Sequence, residues 1–105
     1  MSEAPSPDPA TPGPGQLRVC LYVAGDSPNS AAALRNLRAA LAHLATHSAL
    51  VEIVDVLQHP ERAFRDGIMV TPMLVRREPL PERRVLGNLS DRAKLQHALG
   101  LEIPQ

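Results

Sequence analysis

Val19 to Leu44, VCLYVAGDSPNSAAALRNLRAALAHL, changes period halfway along, and that change decides the fold. In the first part Val19, Leu21 and Val23 alternate with Cys20 and Tyr22, as in a strand with two distinct faces, and β-branched residues suit that pleated surface. In the second part Leu34, Leu37, Leu41 and Leu44 recur at intervals of three and four, so one leucine stripe of an amphipathic helix faces inward. The polar stretch Gly25-Asp26-Ser27-Pro28-Asn29-Ser30 between them is a turn. A second alternating segment, Leu50 to Val56, follows after a short gap, and a strand, helix and strand of these lengths predict a right-handed parallel crossover.

The 105 residues suffice for one domain with a small core of Leu, Val, Ile and Ala, because Tyr22 and Phe64 are the only aromatic side chains. A stacking platform for single-stranded nucleic acid lacks its rings. A formal net charge of zero also gives no long-range pull on phosphate backbones, so no nucleic-acid partner is expected. With Cys20 as the single cysteine, neither an internal disulfide nor a Cys-x-x-Cys redox or zinc pair can be built. Residues 1–16, MSEAPSPDPATPGPGQ, carry prolines at 5, 7, 9, 12 and 14 and read as a disordered, partly polyproline-II tail. The tail lacks the basic and apolar regions of a secretory signal, and no later run is long enough to span a bilayer. The expectation is a soluble, cytoplasmic protein that has no membrane partner.

After the second strand, Gln58 to Gly67 fits a short helix with Pro60 at its first position and Gly67 at its end. Ile68 to Val75 is apolar but interrupted by Thr71-Pro72. Proline cannot donate to a ladder, so either the strand starts after it or it occupies a special turn; the strand is placed at Met73 to Arg76. Arg77 to Glu82 is a charged turn punctuated by Pro79 and Pro81, and Arg83 to Leu86 reads as a short strand. Gly87-Asn88 turns the chain and Ser90 is the expected N-cap of a last helix with Asp91 in its first turn. Ala93, Leu95, Ala98 and Leu99 form that helix's apolar face, and Gly100 closes it. The order is β-α-β-α-β-β-α, with a folded unit over residues 17–101 and a C-terminal end at 102–105.

Candidate chemical sites are sparse. His43 and His47 lie one helical turn apart, yet Leu-Ala-Thr between them is not the His-Glu-x-x-His pattern of a zinc site and no third ligand has recognisable spacing. Gly25-Asp26-Ser27 lacks the Gly-Lys-Ser/Thr ending of a phosphate loop. Cys20 sits in mid-strand without a local base, so it reads as packed. No metal, cofactor or catalytic residue is therefore expected. Arg76, Arg77, Arg83, Arg84 and Arg92, partnered by Glu78 and Glu82, form either a solvated hairpin or a basic patch for an acidic protein surface.

The element order, with proline directly before the third strand, is similar to a thioredoxin-like fold: an α/β mixed sheet with helices on both faces. Within it, LYVAGDSPNS (21–30), the helix with Ala33, Leu34 and Leu37, VEIVDVLQHPE (51–61), VTPML (70–74) and RRVLGNLSDR (83–92) together resemble the KaiB family of circadian clock proteins. The likeness runs over nearly all of Leu17 to Leu99. It implies a small non-enzymatic adaptor whose thioredoxin-like form docks on the ring-shaped ATPase KaiC and, in full clocks, helps capture KaiA. It also implies a second, metamorphic fold with a rearranged C-terminal half and assembly into dimers or tetramers. Asn88 stands where clock members have Asp, and Ala32 where a basic residue is common; a non-oscillating or stress-linked KaiC pathway fits as well as an oscillator.

Two rival functions remain. For a thioredoxin-like oxidoreductase, Ser27-Pro28-Asn29-Ser30 stands in the place of Cys-Pro-x-Cys, and hydroxyls cannot exchange a disulfide. The other rival is the sensor domain of a clock-output histidine kinase, against which a free-standing protein is expected because no kinase region follows. Exposure and charge, rather than a motif, select Arg35, Arg38, Arg83 and Arg84 as partner contacts. Ser27, Pro28, Ser30, Thr71, Pro72, Gly87, Asn88 and Ser90 are assigned to the turns that hold the fold or switch it. The short elements after Gly67 confine any switch to that half, and the thioredoxin-like state, with a cis Thr71-Pro72 bond, is expected to prevail.

Overall fold

The computed structural model describes residues 17–42 and 49–100. The expectations for the proline-rich leader, for His43, Leu44 and His47, and for residues 101–105 lie outside the described residues. The elements follow in the expected order: β1 (Leu17–Val23), α1 (Pro28–Leu41), β2 (Ala49–Asp55), α2 (Pro60–Asp66), β3 (Met73–Glu78), β4 (Arg83–Leu86) and α3 (Arg92–Leu99). β3 runs further than Arg76 because its ladder with β1 continues to the Arg18–Glu78 pair. No helix among the described residues is long and apolar enough to cross a membrane.

The strands form one sheet in the order β2-β1-β3-β4. β1 pairs parallel with β2, placing Leu21 opposite Ile53, and antiparallel with β3, placing Leu21 opposite Leu74. β4 pairs antiparallel outside β3 and leaves its other edge open. Because β1 is central, its alternation feeds two cores. Leu17, Val19, Leu21 and Val23 meet Ala33 and Leu37 of α1 and Leu95 and Leu99 of α3 on one face, whereas Cys20 and Tyr22 meet Val54, Ile68 and Val75 on the other, with Ala63 of α2 packed against them. Fully burying each such Leu or Val contributes roughly 1.5–3 kcal/mol. Helices therefore cover both faces, as the thioredoxin-like reading required.

Several details depart from expectation. The N-cap of α3 is Asp91 rather than Ser90: the Asp91 carboxylate accepts from the Lys94 N–H at 3.1 Å, and a negative group at a helix N-terminus gains from the helix dipole as well. Ser90 instead donates its N–H to Asn88 Oδ1 at 3.0 Å. Between them Leu89, 3% exposed, takes a left-handed φ of 64° so that its side chain can enter the core. Thr71-Pro72 is cis as expected, and Glu78-Pro79 and Leu80-Pro81 are cis too.

Candidate docking surface

One end of the sheet gathers most of the turn residues that the sequence singled out. Gly25, at φ 61°, opens the turn after β1, where an added Cβ would lie 3.3 Å from Leu57 Cδ1. Its N–H donates to Asp55 Oδ1 at 3.0 Å, as does that of Leu57, and these two N–H groups hold the Asp55 carboxyl below its ordinary range. Ser27 caps α1 by accepting from the Ser30 N–H, Pro28 fills the first turn, and Ser30, buried, accepts from the Ala24 N–H at 3.2 Å. Across the sheet the Gly87 N–H donates to Pro72 O at 2.9 Å, and Asn36 of α1 donates to Asn88 O at 2.8 Å. These hydroxyls and amides are engaged in joining turns to helices. Cys20, the only thiol, lies buried in β1, and burial pushes its pKa up, away from the thiolate that redox chemistry needs.

The arginines do not form one patch. Arg35 and Arg38 lie exposed on α1, and Arg83 and Arg84 lie exposed on β4. Arg84 is a brace: its Nε meets Glu82 at 3.1 Å and its Nη atoms donate to Gly67 O and Asp66 O. Arg77 reaches Glu82 and Asp66, at 3.4 and 3.3 Å. Arg76, which the basic-patch reading placed on the surface, is 6% exposed. It donates to Ala98 O at 3.0 Å and to Pro81 O at 2.7 Å, and burial lowers its pKa. Strand alternation explains the split, since Arg76 shares the Leu74 face under α3 and Arg77 shares the Val75 face under α2.

A polar network on that α2 face was missed in the sequence. Tyr22, buried, donates to Asp66 and accepts from Arg77. Burial, reinforced by Asp66, pushes the phenol well above the tyrosine range, and the hydroxyl in turn holds the Asp66 carboxyl low. Beside it Arg62 grips Glu52 with two bonds of 2.8 and 3.0 Å, holding that carboxyl low as well. Only the alternation of Tyr22 with Arg77 and Glu52 on one face could have signalled it; the spacing of Asp66 along the chain carries no such signal.

The KaiB domain model matches residues 20–101. The circadian clock oscillator protein KaiB of Synechococcus elongatus is 42% identical over 83 residues, which cover 79% of each chain. That of Prochlorococcus marinus is 42% identical over the same length, covering 79% of this chain and 77% of its own. Among solved structures, the N-terminal domain of SasA from Synechococcus elongatus superposes with a TM-score of 0.68 at 22% identity, covering 99% of both chains. Mitochondrial thioredoxin 3 from Saccharomyces cerevisiae gives a TM-score of 0.66 at 13% identity over 80% of this chain and 76% of its own. Both show a thioredoxin-like fold.

Proposed function

We propose, since the chain belongs to the KaiB family, that it is a non-enzymatic adaptor of a circadian-clock or clock-derived signalling or stress pathway, and that it docks on a KaiC-type ATPase. The observation that carries this reading is the family match across residues 20–101, in a chain whose thioredoxin-like turn holds Ser27 and Ser30 where redox chemistry needs sulfur. The exposed guanidiniums of Arg35 and Arg38 on α1 and of Arg83 on β4 are the contacts of choice, because they are rigidly based and reach solvent. Arg84, committed to Glu82 and α2, shapes the edge beside them. A KaiA-like protein or a histidine kinase would meet the same assembly.

Purified chain mixed with the KaiC-type ATPase of its own genome and ATP is expected to shift to a larger species by size exclusion and light scattering. Arg35→Glu with Arg38→Glu should weaken the complex about tenfold or more, through like-charge repulsion at the interface. No shift at any concentration tested would overturn the adaptor reading. The likeness to the SasA domain supports a second reading, a stand-alone sensor-type domain that competes for the same ATPase. The 42% relatives favour the first.

A further inference from the structure

The sheet ends on one side in β4, which pairs only with β3. An antiparallel strand turns half of its backbone N–H and C=O groups toward its neighbour, so along β4 the rest face outward. Between this edge and α3 runs a groove of about 600 Å³, with Arg83, Val85 and Leu86 on one side and Lys94, His97 and Ala98 on the other. Val85 is half-buried against the core and Leu86 is exposed. The groove thus combines apolar lining with uncompensated positive charge.

That charge has no acid of its own. Neither the Arg83 guanidinium nor the Lys94 ammonium has an ion pair among the described residues, and both belong to exposed residues. Directly behind the wall, Arg76 bonds the Ala98 carbonyl that lines the groove, has no carboxylate, and leaves its Nε without a hydrogen-bond partner. Of the nearby acids, Glu82 is held by Arg77 and Arg84 and Asp91 by the cap of α3, and Glu78 at the end of β3 makes no ion pair with Arg83 or Lys94 among the described residues. The site accordingly calls for carboxylates brought by something else.

We propose that an extended acidic segment of a partner protein adds to β4 as a further strand, its backbone pairing with the open edge, its carboxylates meeting Arg83 and Lys94, and an apolar side chain resting on Val85. Nucleic acid fits less well. No Phe, Tyr or Trp side chain lines the groove, and a phosphate backbone offers acceptors but no donors for the outward carbonyls of β4. A second copy fits less well again. β4 carries Arg83 and Arg84 and no acid, so pairing two β4 edges would bring more positive charge and no carboxylate to the groove, and the carboxylates of the opposite edge, Glu52 and Asp55, are already bound. Charges on an edge strand also deter aggregation, but that role needs no groove beside them. The proposal rests on the reading of the protein as a docking adaptor through the β4 edge, though not on which protein docks.

The test uses the full chain and a fluorescein-labelled heptapeptide of alternating Glu and Val, followed by fluorescence anisotropy and by amide hydrogen exchange. Binding should be saturable, slow the exchange of amides in residues 83–86, and weaken about tenfold or more in the variant Arg83→Glu with Lys94→Glu. The milder pair Arg83→Gln with Lys94→Gln, checked for native circular dichroism, should weaken it less. A Lys-Val peptide and a Glu-Val peptide N-methylated at alternate residues should not bind. Equal binding of the N-methylated peptide, or displacement by inorganic polyphosphate without protection of β4, would overturn strand addition in favour of a plain anion site. Failure of the Glu-Val peptide while the KaiC-type complex forms would overturn this inference and leave the adaptor reading standing; peptide binding without that complex would do the reverse.

Discussion

Leu89 sits at a left-handed φ of 64° with a side chain 3% exposed, a conformation that costs a leucine roughly 1–2 kcal/mol and that burial must exceed. Two substitutions separate the opposing effects. Leu89→Ala removes the burial and keeps the backbone penalty, so it should cost about 2–4 kcal/mol. Leu89→Gly removes slightly more side chain but relaxes the backbone, and should be at least as stable as the alanine variant. At Leu37, buried in the middle of α1 with ordinary backbone, glycine should instead be worse than alanine by about 1 kcal/mol. Urea unfolding of the four variants checks this; a glycine penalty at Leu89 as large as that at Leu37 would show that the backbone there is unstrained. Nothing in the local sequence announces the conformation. Asn88-Leu89-Ser90 reads as a polar turn around one apolar residue, and only the demand of the core for Leu89 fixes its φ.

The elements that were legible are those whose signal is periodic or punctuated. β1 and α1 were readable from alternation and the leucine stripe, and α2 from Pro60 and Gly67, because those residues act on the backbone within their own turn. The start of α3 was ambiguous, since Ser90 and Asp91 are both good caps and the choice depends on the turn that Leu89 imposes. Asp91→Ala should therefore cost about 1 kcal/mol, and Ser90→Ala, whose side chain takes no part in the cap, at most about 0.5 kcal/mol. The same urea transitions measure both; a larger loss at Ser90 would restore the cap to it. The surface arginines were legible only in part. Arg35, Arg38 and Arg83 could be placed by charge and exposure, whereas adjacent Arg76 and Arg77 needed the strand register that sends one beneath each helix layer.

At the scale of the whole molecule, carboxylates on the α2 side and at the Gly25 turn join elements that share no extensive apolar contact. Glu52 ties β2 to α2 through Arg62, Asp66 ties α2 to β1 and β3 through Tyr22 and Arg77, and Asp55 ties β2 to the turn that starts α1. All three carboxyls are held below their ordinary values of 4.5 for Glu52 and 3.8 for Asp55 and Asp66, by the Arg62 hydrogen bonds, the Gly25 and Leu57 N–H groups and the Tyr22 hydroxyl respectively. As pH falls through those values the unfolded chain takes up protons first, so stability should be complete at about pH 6 and decline steadily below the ordinary carboxylate range. At the alkaline end the sign reverses. Burial raises Cys20 above its ordinary 9.0 and Tyr22 above its ordinary 10.0, so the unfolded chain loses these protons first and stability should fall again as pH rises past those values. The prediction is a plateau between the two limbs in the urea midpoint measured from pH 3 to pH 11. Asp66→Asn should make the acid limb shallower, and Tyr22→Phe with Cys20→Ala should flatten the alkaline limb, since one tyrosine and one cysteine are all that the chain contains. A midpoint that keeps rising below the carboxylate range would mean that these ties repel more than they hold, and that the α2 layer is kept in place by Ala63, Ile68 and Val54 alone.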